Sequence, residues 1–179
     1  VRAGQMAANW GLGLMANDAR GVSDWSGPRF HGDLVDRVLF ATRPFALASR
    51  GKRGTQWLAF VGADMVYRDQ AAEFQEGDRA YQGVFGFAYA PKTDNNRAGL
   101  YAVRRTQTDR YGFDLNIWAL DFHGRYEIAA GRTSKVRFEA EVAQILGQTS
   151  MSRDAYESTR DIMQTGSATE IAFSSPSWE

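Results

Sequence analysis

The chain has 179 residues, with 21 Lys and Arg against 21 Asp and Glu, no cysteine, 44% hydrophobic and 13% aromatic residues. Its length suits one domain, residues 1–179, and its even charge removes the case for nucleic acid, because a phosphate-binding surface needs excess cation. Without cysteine there is no disulfide framework, thiolate metal site or thiol nucleophile.

No apolar run is long enough for a membrane helix. A negative mean hydropathy does not exclude a membrane β-barrel, whose lipid-facing residues alternate with polar ones. The chain begins at Val1 and ends just after a strand-like run, and we read it as part of a longer barrel.

Period-2 alternation predicts about eight strands, roughly 1–15, 34–48, 55–68, 79–91, 97–107, 114–130, 135–147 and 161–174. Trp57, Ala59, Val61, Ala63, Met65 and Tyr67 form an apolar row whose opposite face mixes Leu58 and Phe60 with Asp64. Tyr81, Phe85, Phe87 and Tyr89 form the next row. The clearest case follows, with Trp118, Leu120, Phe122, Tyr126 and Ile128 on one side and Asp121, His123, Arg125 and Glu127 on the other. Phe138 and Val142 then oppose Arg137, Glu139 and Glu141. Successive side chains of a strand point to opposite faces, so each segment has an apolar wall and a polar one.

Strands of this length exceed the five or six residues usual in soluble domains. The connections are expected to alternate, with tight turns at 49–54, 92–96 and 131–134 and longer loops at 16–33, 69–78, 108–113 and 148–160. Trp57 and Tyr67 end their row ten residues apart, which at ~3.3 Å per residue and ~45° tilt spans roughly 23 Å. Aromatic rings favour the headgroup level of a bilayer, and Tyr81 with Tyr89 and Trp118 with Tyr126 bracket two further rows. The expected fold is therefore an all-β, antiparallel, up-and-down transmembrane barrel. A soluble lipocalin-like barrel or a β-sandwich would bury the same rows and remains the alternative.

Arg2, Gly4 and Gln5, then Trp10, Gly11 and Gly13, precede Asp33, Val35, Asp36, Val38 and Phe40. Over residues 1–45 this pattern resembles large porin-like bacterial outer-membrane barrels, including the alginate-export type. The resemblance implies location in the outer membrane, contact with its lipid and lipopolysaccharide, and barrel architecture. It supplies no catalytic residue and no solute.

Asp64, Arg104, Asp121, His123, Arg125, Glu127, Arg137, Glu139 and Glu141 are the candidate pore-lining residues, since charged ladders bias which solutes pass. Trp57, Tyr67, Tyr81, Phe85, Phe87, Tyr89, Trp118, Phe122, Tyr126 and Phe138 are the candidate lipid-facing residues. Gly11, Gly13 and Ala16 match a loose dinucleotide fingerprint, but a loop signal follows them where a helix is required, so they read as small positions in a curved strand. Asp121 and His123 lie two apart on one face, without the nucleophile or oxyanion donors a hydrolase needs. His31, Asp18, Asp24, Asp33 and Asp36 gather near the first loop without calcium-loop spacing. The expected function is a channel for a hydrophilic solute, without enzymatic activity, cofactor or metal. A non-transporting anchor barrel is the alternative.

Overall fold

The computed structural model describes residues 1–18, 32–46, 52–91, 95–131, 133–151 and 159–175. Eight strands follow one another: β1 (Arg2–Ala7), β2 (Leu34–Thr42), β3 (Trp57–Arg68), β4 (Arg79–Tyr89), β5 (Arg97–Thr108), β6 (Asp114–Ala129), β7 (Lys135–Thr149) and β8 (Arg160–Ser174). They form one antiparallel up-and-down sheet in the order β1-β2-β3-β4-β5-β6-β7-β8. The sheet is not closed. Among the described residues the outer edges of β1 and β8 carry no partner strand. Short 3-10 turns at Lys52–Gln56 and Phe74–Glu76 are the other regular elements, with no α-helix among the described residues.

Continuous cross-strand registers hold the alternation in place from strand to strand. Arg104 on β5 stands opposite Trp118 on β6, Trp118 opposite Leu146 on β7, and Arg125 opposite Glu139. A one-residue slip would move every side chain of a strand to the other face, so two walls of different character fix the register strongly.

One face of the sheet exposes large apolar side chains, while the covered face mixes charged residues with apolar ones. Phe122 is 51% exposed and Phe85 50%, while Glu141 is 0% and Asp121 2%. Val38, Phe40, Leu100, Leu120, Tyr126 and Val142 are likewise exposed, and Arg37, Asp64, Arg105, His123 and Glu139 are buried on the other face. Soluble domains rarely expose apolar patches of this extent, and rarely bury so many ionised groups.

Two predicted boundaries are corrected. β1 ends at Ala7 instead of continuing to residue 15. Gly11 at φ 56° and Gly13 at φ 91° occupy the left-handed region that glycine tolerates, and turn the chain back on itself. The Trp10 amide donates to the Ala16 carbonyl at 3.0 Å and the Gly13 amide to that of Trp10 at 3.0 Å. β2 ends at Thr42 instead of residue 48, because Pro44 has no amide hydrogen to continue the ladder. The predicted alternation of loop lengths is therefore only partial. Connections 8–33, 69–78, 109–113 and 150–159 share one end of the sheet, and 43–56, 90–96 and 130–134 the other. Connection 43–56 is long for the expected short-turn end, and 109–113 short for the other.

Candidate functional site: a charged wall and an inward turn

Residues 8–17 fold over the buried face of the sheet. Asp33 anchors the root of this turn. Its carbonyl accepts the Ala8 amide at 3.1 Å, its amide donates to the Asn17 carbonyl at 2.7 Å, and its carboxylate accepts the Asn17 amide at 2.8 Å. Burial pushes the Asp33 carboxyl up to about 6, opposed by the Asn17 amide.

At the far end of the turn, the Glu141 carboxylate on β7 accepts the Leu12 amide and, at 3.1 Å, the Leu14 amide. A Cβ on Gly11 would stand 2.5 Å from Glu141 Oε2, so a larger residue there would push that carboxylate aside. Between these anchors the Trp10 indole stacks on Tyr101 of β5 at 5.3 Å and lies edge-on to Phe60 of β3 at 6.2 Å. It also lies edge-on to His123 of β6 at 6.5 Å, and its Nε1–H donates to Asp121 Oδ1 at 3.0 Å. Strands β3 and β6 would be ~14 Å apart on a flat sheet, so one indole meeting both requires the sheet to curl around it.

Glycines make space for these rings. A Cβ on Gly86 would be 2.0 Å from the Phe60 ring, and one on Gly99 would be 2.7 Å from the Trp10 ring. The apolar Phe60 on the same face as Asp64 is thereby explained. It belongs to a small hydrophobic cluster on the buried face, with Trp10, Tyr101, Val84 and Val103.

Charged residues surround this cluster on three sides. Arg37 of β2 grips Asp64 of β3 with two hydrogen bonds, Nε to Oδ1 at 2.6 Å and Nη2 to Oδ2 at 2.7 Å, and Gln82 Nε2 adds a third at 2.9 Å. Towards the 69–78 connection, Arg105 is paired with Asp69. On β6 and β7, His123 Nε2 lies 2.9 Å from Glu139 Oε1, with Arg137 Nε at 3.5 Å and Arg125 Nε at 3.9 Å from Oε2. Arg137 also pairs with Glu170 of β8, and Glu127 with Lys135 at 2.7 Å. Between β6 and β7 opposite signs face each other, Arg125 against Glu139 and Glu127 against Arg137, a favourable cross-strand arrangement, whereas Glu139 faces Glu170 on β8 and Arg125 faces Arg97 on β5. A cavity of about 410 Å³ opens beside the turn, lined by Asn9, Trp10, Gly99, Arg97, His123 and Arg125 among others.

Asp64, Asp121, His123, Arg125, Glu127, Arg137, Glu139 and Glu141 all lie on this one face. Arg104 does not. The β5 register puts it on the exposed face with Leu100 and Ala102, and Arg105 takes the buried position. The prediction failed because both faces of β5 carry apolar residues, which hides the phase of the alternation. Asp121 and His123, two apart on this face, have separate partners in Trp10 and Glu139.

Arg37, Arg105 and Trp10 escaped the sequence reading. Arg37 was masked by the apolar Val35 and Leu39 on its own strand face, and Trp10 by reading the turn as strand. All ten candidate apolar-wall residues are on the opposite face. Near the 43–56 connection Trp57 stacks on Phe87 at 5.2 Å and contacts Tyr89 at 5.3 Å. Among the described residues, no three His, Asp or Glu side chains gather to hold a metal ion. His31 and Asp24 lie outside the described residues.

The arrangement holds fixed charges of both signs in a ladder and ties a turn down over it. No protein-family model, curated protein or solved structure was found to match this chain.

Proposed function

We propose that the chain forms part of the wall of a bacterial outer-membrane β-barrel whose charged interior passes a hydrophilic solute, narrowed by the inward turn 8–17. The observation that supports this reading is the contrast between the two walls, with Phe122 half exposed and Glu141 fully enclosed. An exterior of this kind suits acyl chains, and an interior lined by Arg125, Arg137, Glu127 and Glu139 suits water and ions. Unpaired backbone groups cannot face hydrocarbon, so further strands complete the barrel at the β1 and β8 edges. A soluble ligand-binding barrel is disfavoured, since its apolar rows would point inward.

Transport would proceed by hydrated diffusion past the charge ladder, with passing ions sorted by the local field. The inward turn is what favours the second reading, an anchoring barrel with a filled lumen. Conductance in planar bilayers separates the two. Discrete open steps are expected from the reconstituted protein, and Glu141→Ala, which frees the Leu12 and Leu14 amides, should enlarge them. A silent membrane with both proteins would reject the channel and leave the anchor.

A further inference from the structure

Arg104 puts a cation at the edge of the apolar band of the exposed wall. Along β5 the exposed row runs Ala98, Leu100, Ala102, then Arg104, Thr106 and Thr108, and on β6 it runs Asp114, Asn116, then Trp118 and Leu120. The change from polar to apolar meets at one register pair, where Arg104, the first polar residue of its row, stands opposite Trp118, the first apolar residue of the other. Tyr81 of β4 stands beside it, opposite Thr106. In the membrane reading, on which this inference rests, that level is the headgroup boundary.

The guanidinium is oriented by neutral groups. Its Nη1 donates to the Ile117 carbonyl at 2.9 Å and the Arg105 carbonyl at 3.1 Å, its Nη2 reaches Asn116 Oδ1 at 3.4 Å, and its plane lies 5.7 Å from the Trp118 ring. Among the described residues no carboxylate forms an ion pair with it. Arg37, Arg105, Arg125 and Arg137 on the buried face each have an acidic neighbour, and the charge of Arg104 is uncompensated by contrast. A groove of about 500 Å³ lies next to it, floored by Ala63, Met65 and Gly83 and edged by Tyr81, Thr106 and Arg104. A Cβ on Gly83 would meet nothing within 4 Å, so the floor is open.

We propose that this groove binds one phosphorylated membrane lipid, its phosphate on Arg104 with the Thr106 and Tyr81 hydroxyls, and an acyl chain over Gly83. With Nη1 held by the two carbonyls, the Nε–Nη2 edge of the guanidinium is the side that matches a phosphate, and the apolar floor argues for a lipid over free phosphate. Charge complementarity commits the occupant: a zwitterionic headgroup would leave the cation partly unsatisfied.

Native mass spectrometry of the detergent-solubilised protein, titrated with phosphatidylglycerol, phosphatidylcholine or inorganic phosphate, tests this. One phosphatidylglycerol should be retained in preference to phosphatidylcholine, and inorganic phosphate should not displace it. Arg104→Gln should weaken retention by about tenfold or more, the loss expected for a charge-assisted hydrogen bond. Gly83→Leu, which fills the groove without touching a charge, should weaken it as well. Equal retention by Arg104→Gln, or displacement by inorganic phosphate, would overturn the site. Flotation of the wild-type protein with lipid vesicles separates the two levels of failure. Flotation with unaltered lipid retention by Arg104→Gln defeats only this inference, whereas absence of flotation defeats it together with the membrane reading.

Discussion

Replacing Phe122 by arginine should destabilise the protein folded in lipid vesicles by ~2–4 kcal/mol, the range found for a basic residue near the bilayer midplane. Phe122 lies midway along β6, between Trp118 and Tyr126 on the exposed face, so the introduced charge cannot reach either interface easily. Equilibrium denaturant unfolding in vesicles measures the change. If the apolar wall instead faced water, the same substitution would remove an exposed hydrophobe and alter stability by only about 0.5 kcal/mol or less. The protein would then also gain solubility without detergent. The two outcomes differ in size and in the direction of the solubility change.

Asp64→Ala should be costlier still, at ~3–5 kcal/mol, because it strands Arg37 on the covered face without its counter-charge. The Asp64 side chain is 0% exposed, and its two oxygens take both Arg37 bonds and that from Gln82. Removing both partners together, Arg37→Met with Asp64→Leu, should recover much of the loss, since the penalty is that of an unpaired buried ion and not of the missing bond. The same vesicle unfolding experiment reads both proteins. Equal losses from the single and double variants would show that Arg37 does not depend on Asp64.

The sequence spoke most clearly where a strand has two unlike walls. From Trp118 to Ile128 the alternation is uninterrupted, and the structure puts its phase, its strand and its partner on β7 where the reading expected them. The same logic failed at β5, because Tyr101 and Val103 fill space beneath Trp10 and so carry apolar character onto the polar face. Phase was then ambiguous by one residue, enough to exchange Arg104 for Arg105. Residues 8–17 were misread for a related reason. Small and apolar residues there resemble a strand row, yet what they satisfy is a long-range demand, the Glu141 carboxylate more than a hundred positions away along the chain. Local periodicity does not encode such a contact. The paired glycines at 11 and 13 were the available sign of a turn.

Site-directed spin labelling gives the most direct test of which wall meets lipid, and the absence of native cysteine makes single-cysteine variants straightforward. Labels at Leu120, Phe122, Phe138 and Val142 in vesicle-reconstituted protein should collide strongly with oxygen, which concentrates among acyl chains. Labels at Arg125, Glu127 and Arg137 should instead be reached by a water-soluble nickel chelate. Oxygen access at the second set with chelate access at the first would mean that the walls point the other way, and would contradict the account.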